Sequence, residues 1–313
     1  MDAVGAASLA AWTPVRVRTA GNEPVVDWAI LERYAEPFFE QSADRAMQHP
    51  FNQVFGRHTS LAAVEEVAAR SPGVAPAGFV FHMSRCGSTL VAQMLAALPA
   101  TIVLSEAQPL DALIGLHRRR PDLDEATLVR YLRAMVGALA QPRAGETRLF
   151  VKFNAWHVLE LPLIARAFPE VPWAFVFREP RAVLRSQSSN RGPETIAGTL
   201  DPAWFGLTAA EAAALSADEY GARVIAGFAE AALRHKGLGR GAFVEYADLP
   251  AAVPARLFPH FGVAAGEAEA AASLAVAGAD AKGPILAGAP GGDEDDLAAR
   301  WLDAPYAALR GAR

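Results

Sequence analysis

Between residues 79 and 261, short and nearly unbroken apolar runs alternate with stretches whose apolar residues recur every three or four positions. The first kind fits strands buried on both faces, and the second fits helices with one packed stripe. Residues 79–83 therefore predict a strand. Residues 88–98 predict a helix, with Leu90, Val91, Met94, Leu95 and Leu98 on its packed side. Further strands are expected at 101–104, 149–153, 173–177 and 242–246. Helices are expected at 123–139, capped by Asp122 or Asp124, and at 159–168, 181–188 and 250–261. Another should run from the capping box Ser216-Ala217-Asp218-Glu219 to about His235. Residues 190–215, rich in Gly, Pro and Thr, predict a loop over one edge. Strands separated by helices predict an α/β fold, a parallel central sheet flanked by helices in three layers, with ligands bound beyond the carboxyl ends of the strands.

The first 76 residues read differently. Pro14, Pro24, Pro37 and Pro50 interrupt them, a helix is expected around 28–39, and Ser71-Pro72-Gly73-Val74-Ala75-Pro76 marks a boundary. The chain thus divides into an N-terminal helical and loop extension, 1–76, and an α/β domain, 77–313. Apolar residues make up 52% of the 313, enough for a sizeable core. A net charge of −5 with dispersed Lys and Arg argues against a duplex nucleic-acid partner. Cys86 is the sole cysteine, which excludes an internal disulfide and a multi-cysteine zinc site and suggests a reducing, cytoplasmic setting. Seven scattered histidines lack metal-ligand spacing, so no metal is expected. No secretory start or membrane-spanning stretch is evident, so no membrane partner is expected. Nothing in the pattern specifies an oligomeric state.

The strand-to-helix turn His82-Met83-Ser84-Arg85-Cys86-Gly87-Ser88-Thr89 has the layout of a phosphate-cradling loop. Backbone N–H groups at the helix start would point at an anion. Aligned on Gly87, the nucleotide-hydrolase pattern G-x-x-x-x-G-K-[ST] needs Gly at position 82 and Lys at 88. The chain has His82 and Ser88, and only Thr89 fits. The loop suits a phosphate-like anion but lacks the lysine that grips a γ-phosphate. A second anion site is suggested by Arg178 at the end of strand 173–177 and Ser186 eight residues on. A forked donor and a small hydroxyl suit a phosphate monoester. Arg181, Arg185 and Arg191 would make the pocket mouth positive. The acidic run Asp293-Glu294-Asp295-Asp296 reads as a solvated turn before the last helix.

Here the chain resembles a family. Arg85-Cys86-Gly87-Ser88-Thr89 resembles the R-S-G-T-T 5′-phosphosulfate loop of the sulfotransferases, which share a P-loop-like fold. Arg178 to Ser186 resembles their 3′-phosphate motif, R-[DE]-P-x-x-[VA]-x-x-S. Val244-Glu245-Tyr246-Ala247-Asp248-Leu249, followed by Phe261-Gly262, is similar to their V-x-Y-E-D-L…F-G segment. The resemblance spans residues 78–263. It implies 3′-phosphoadenosine 5′-phosphosulfate (PAPS) as donor and the hydroxyl or amine of a small molecule, glycan or peptide as acceptor.

By that resemblance Arg85 would hold the phosphosulfate, and the loop at Cys86, Gly87, Ser88 and Thr89 would cradle the 5′-phosphate. Arg178 and Ser186 would hold the 3′-phosphate, and Lys282-Gly283 resembles the element that closes over it, though a surface turn is an equal reading. Lys152 matches the lysine of a K-T-H pattern that contacts the sulfuryl group. Asn154 stands where that pattern has its histidine base, and an amide cannot take a proton. Glu106 is the preferred base, its carboxylate able to take a proton if partial burial raises its pKa; His157 is the runner-up. The acceptor pocket would draw on residues 1–76, 106–120 and 189–215, where Phe38, Phe39, Trp204 and Phe205 could form an apolar lining. Two other classes stay open: a P-loop kinase or nucleotide hydrolase, and a non-catalytic nucleotide-binding protein.

Overall fold

The computed structural model describes residues 9–20, 23–120, 122–278 and 293–313. The N-terminal segment is built on an antiparallel sheet in the order β1 (Thr13–Ala20), β2 (Glu23–Ala29), β3 (Arg57–Thr59). Helices α1 (Phe39–Gln48) and α2 (Pro50–Phe55) lie between β2 and β3, and α3 (Leu61–Arg70) follows. The helix expected around 28–39 is absent. Trp28 belongs to β2, where its indole N–H donates to Thr59 Oγ1 on β3 at 2.8 Å. Helix formation waits until Phe39, beyond Pro37, whose ring cannot sit in a helix interior. In β1, Val15 and Val17 are buried while Arg16 and Arg18 face outward, a strand signature of period two.

The chain enters its central sheet at β4 (Pro76–His82) and continues through α4 (Ser88–Ala96), β5 (Thr101–Ser105), α5 (Gln108–Arg119) and α6 (Glu125–Leu139). Then come β6 (Arg148–Lys152), α7 (Leu161–Ala167), β7 (Trp173–Phe177), α8 (Pro180–Ser189), α9 (Ala209–Ala214), α10 (Ala217–Arg234) and β8 (Gly241–Glu245). All four strand pairings are parallel, in the order β5-β6-β4-β7-β8. Every residue of β7 is buried, as expected of a strand covered on both faces. Phe79, Phe81 and Phe153 pack together, with Phe81 and Phe153 stacked at 4.9 Å between ring centres.

Local chemistry sets most boundaries. Asp124 caps α6 through the Thr127 N–H at 2.8 Å, and Ser216 caps α10 through that of Glu219. Three segments depart from expectation. Residues 190–215, expected as a loop, contain α9 near their end. Residues 159–168 divide between a 3₁₀ turn (Ala155–Glu160) and α7. Residues 250–261 form a π-helical turn (Val253–Leu257) and one α-helical turn (Phe258–His260). Among the described residues, no helix is long and apolar enough to cross a membrane.

The strand order places the site. From β4 the chain crosses to β5 and returns to β6 on one side, whereas β7 and β8 build outward on the other. The crevice beyond the carboxyl end of β4 lies between these halves, the switch point where open α/β sheets bind ligands. Lys152 ends β6, His82 ends β4, and Arg178 follows β7. Three adjacent strand tips thus deliver two candidate site residues, Lys152 and Arg178, and with them His82, to one edge.

Candidate active site

The turn from β4 to α4 is held in an unusual backbone shape. Ser84, Arg85 and Gly87 have φ of +71°, +52° and +87°. The left-handed region is costly for the first two and natural for the third. A Cβ on Gly87 would lie 2.7 Å from Cδ2 of Tyr246, so glycine is also required by close approach. Gly87 gives α4 no side-chain cap, so no N-cap side chain covers the first N–H groups of the helix. Thr89 Oγ1 is buried there without a hydrogen-bond partner. Cys86 is turned away from this surface: it is buried, and its thiol donates to the Val176 carbonyl at 3.0 Å.

The two anion motifs meet. Arg85 Nε donates to Ser186 Oγ at 2.8 Å. Arg178 stacks its guanidinium 4.3 Å from the Tyr246 ring centre, the same ring that flanks Gly87, and reaches toward the Arg85 carbonyl at 3.5 Å. Burial lowers the pKa of Arg85; nearby Glu194 opposes the fall and Arg178 adds to it. Arg178 and Ser186, expected as a second anion site, therefore adjoin the Gly87 turn expected as the first.

On the other side, Lys152 forms an ion pair with Glu106 and lies 5.1 Å from the Phe38 ring centre. Lys152 is 1% exposed, so its ammonium depends on this partner. Glu106 has φ of +56° at the start of the β5–α5 connection. Burial alone would raise its carboxyl pKa. The Lys152 ammonium and the His82 imidazole outweigh burial and hold it well below the ordinary range. The condition set for Glu106 as a base, a pKa raised by burial, is therefore not met. Glu40, in the first turn of α1, has a raised pKa from burial, with Asp44, Asp111 and Glu106 adding to it.

Asp111 organises the segment after Lys152. Its Oδ1 accepts from Asn154 Nδ2 at 2.7 Å, Trp156 Nε1 at 2.9 Å and His157 Nε2 at 3.1 Å. Burial raises the Asp111 pKa, and these donors overcome it, keeping the carboxylate ionised. His157 is buried beside Phe153 and Trp156, and its Nδ1 has no partner. Trp156 packs against Trp204, over which Arg118 lies at 4.2 Å.

Other expectations separate from the site. Arg181 pairs with Asp295 and Asp303, Arg185 with Glu294, and Arg191 with Asp218, so each arginine is matched by a carboxylate. The acidic run accordingly ties the C-terminal segment onto α8, and Glu294 is buried rather than solvated. Phe39 and Phe205 are core residues, whereas Phe38 and Trp204 are partly exposed. Lys282 lies outside the described residues. Sequence reasoning missed His82, Asp111 and Gln187. Gln187 adjoins the Ser186 of a recognised motif, and His82 fills a position that was read only as a missing glycine. Asp111 carries no motif. Among the described residues, no three His, Cys, Asp or Glu side chains gather as a metal site would require.

No family model matches the chain, and no curated protein matches it. Solved structures do. One is the sulfotransferase domain of the Synechococcus PCC 7002 olefin synthase: 18% identity, 73% of this chain, 94% of that chain, TM-score 0.41. Sulfotransferase STF9 from Mycobacterium avium matches at 13% identity over 84% of this chain and 82% of its own, TM-score 0.47. Sulfotransferase STF1 from Mycobacterium tuberculosis matches at 15% identity over 81% and 86%, TM-score 0.43. All three are sulfotransferases; at these scores the likeness describes the path of the chain and carries no chemistry.

Proposed function

We propose that this protein is a sulfotransferase that takes a sulfuryl group from PAPS and passes it to a hydroxyl or amine of a small-molecule, glycan or peptide acceptor. The observation that carries the reading is the convergence of Arg85, Arg178 and Ser186 on the Gly87 turn. The residues suit such a donor. An unpartnered buried hydroxyl at Thr89, uncapped helix N–H groups and two guanidinium groups form an anion receptor with no lysine at position 88. When bound, the donor supplies an activated sulfuryl group on a phosphate.

In this reading the N–H groups of Gly87, Ser88 and Thr89 receive the 5′-phosphate, Arg85 holds the phosphosulfate, and Arg178 with Ser186 holds the 3′-phosphate. Lys152 stabilises negative charge beside the transferred group. Glu106 accepts the acceptor's proton. Its pairing with Lys152 makes it a weak base. A loose transition state, with little bond formation to the attacking atom, tolerates one. His157 orders the Asp111 cluster instead. Phe38 and Trp204 flank the acceptor. A sole cysteine, which no second cysteine in the sequence can pair, suits a cytoplasmic location.

The test is thermal unfolding. The desulfated product, 3′-phosphoadenosine 5′-phosphate (PAP), should raise the Tm with EDTA present, while Mg-ATP does little. At about 100 Kd of ligand, mass action stabilises the native state by ~2.7 kcal/mol, readily seen as a shift. A rise with Mg-ATP alone overturns the proposal in favour of a kinase or nucleotide hydrolase. Binding of PAPS without transfer to any of a broad acceptor panel would leave a nucleotide-binding protein.

A further inference from the structure

His82 closes β4 with its ring buried among groups that dictate its protonation. Its Nε2 lies 3.1 Å from the Phe153 carbonyl and 3.5 Å from the Glu106 carboxylate. A carbonyl accepts only, and so does an ionised carboxylate, so Nε2 carries the ring proton. Its Nδ1 lies 3.1 Å from the backbone nitrogen of Ser84, which only donates. Nδ1 therefore keeps its lone pair, and the partners select one neutral tautomer.

The ring joins two residues in costly backbone shapes, Ser84 at φ +71° and Glu106 at φ +56°. Such shapes persist only where the surroundings over-determine them. Gln187 grips Ser84 from the other side. Its Nε2 donates to Ser84 Oγ at 3.1 Å, and its Oε1 accepts from the Gly192 N–H at 2.7 Å. The charged groups facing His82 are Lys152 from β6, Glu106 from the β5–α5 connection and Glu194 from the turn after α8. Burial and Lys152 oppose a second proton; Glu106 and Glu194 favour it, and the opposition prevails.

We propose that His82, as its neutral Nε2–H tautomer, is a positioning residue that holds the turn at Ser84 and Arg85 in its anion-receiving shape and fixes that turn against the Lys152–Glu106 pair. The proposal rests on the reading of that turn as the donor's anion site. A second proton on Nδ1 would face the Ser84 N–H, donor against donor, and the tether would be lost.

Two measurements test it. The first uses nitrogen-labelled protein without nucleotide. Long-range proton–nitrogen correlations should show His82 with its proton on Nε2 at neutral pH. An Nδ1–H tautomer or an imidazolium overturns the proposal, whether or not any nucleotide binds. The second is calorimetric affinity for PAP. His82→Leu should lose about tenfold or more, the scale of one lost hydrogen bond plus a relaxed turn. His82→Asn, whose Oδ1 can take the place of Nδ1, should recover most of that loss. His82→Gln, which reaches the Nε2 side and leaves Ser84 unpaired, should not. Wild-type affinity in the Leu variant overturns the proposal. If the Leu variant does not fold, equal affinities for Asn and Gln overturn it. Wild-type protein that binds no PAP sinks the anion-site reading, while the tautomer still judges the tether.

Discussion

Arg85 Nε donates to Ser186 Oγ across 101 positions of sequence, at 2.8 Å. The contact ties the loop after β4 to the helix after β7. In the proposed function it lets Arg85, aimed by Ser186 of α8, supply the forked cation of a loop that has no lysine at position 88.

Arg178→Ala should weaken PAP binding by about 10- to 100-fold, since hydrogen bonds to charged groups contribute about 1.5–3 kcal/mol. Removing its stacking contact with Tyr246 adds to the loss. Calorimetric titration measures it, and an unchanged Kd would remove Arg178 from the site.

Lys152→Met should lower turnover more than PAP affinity and cost stability. Glu106 would lose its ammonium partner, and its carboxyl pKa would climb. Breaking a buried pair by removing one member costs about 3–5 kcal/mol, less here because Glu106 is partly exposed. Glu106→Gln should also spare nucleotide binding and lower turnover; normal turnover in that variant would exclude it as the base. Chemical denaturation and steady-state rates together separate the two effects.

Gly87→Ala should abolish nucleotide binding while leaving the fold largely intact. The new methyl would meet the Tyr246 ring at 2.7 Å, and the position's φ of +87° disfavours any Cβ by about 1–2 kcal/mol. Pairing Gly87→Ala with Tyr246→Ala should restore part of the binding if the steric contact dominates, and none if the backbone does.

Stability should fall on acidification in two stages. The folded-state pKa of His82 lies below its ordinary 6.5 because burial and Lys152 oppose the charged form. As pH falls below that value, the unfolded chain takes the proton first, so unfolding gains. His235 and His260, lowered mainly by burial, act in the same direction. Glu106 and Asp111 are held below their ordinary 4.5 and 3.8, so the stability they contribute is present above those values and is lost further down. Calorimetric Tm should decline below about pH 7 and again below about pH 4, and His82→Asn should flatten the upper of the two declines. A level Tm across the upper interval would contradict the neutral, buried imidazole.

The central sheet was legible because its strands are short, apolar and nearly continuous, and its helices carry packed stripes. Burial on both faces leaves that pattern whichever neighbours a strand takes. The residues 173–177 were bounded correctly for this reason. The turn from β4 into α4 was legible because its demands are local: an abrupt turn, a glycine and a helix start. The N-terminal sheet was not, although Val15 and Val17 alternate with Arg16 and Arg18. Its last strand is three residues long and pairs across α1 and α2, and long-range pairing leaves no local mark.

What the amino-acid order determined by itself was the alternation of strand and helix and the placing of Lys152, Arg178 and the Gly87 turn at strand ends. Tertiary structure decided the strand order, and hence which ends are neighbours. It also decided the charge state of Glu106, whose burial and ion pair push in opposite directions and can be weighed only once Lys152 lies beside it. The same holds for His82 and Asp111. Their work is done through hydrogen bonds to backbone and side chains far along the chain, and such partners exist only after the sheet has brought them together.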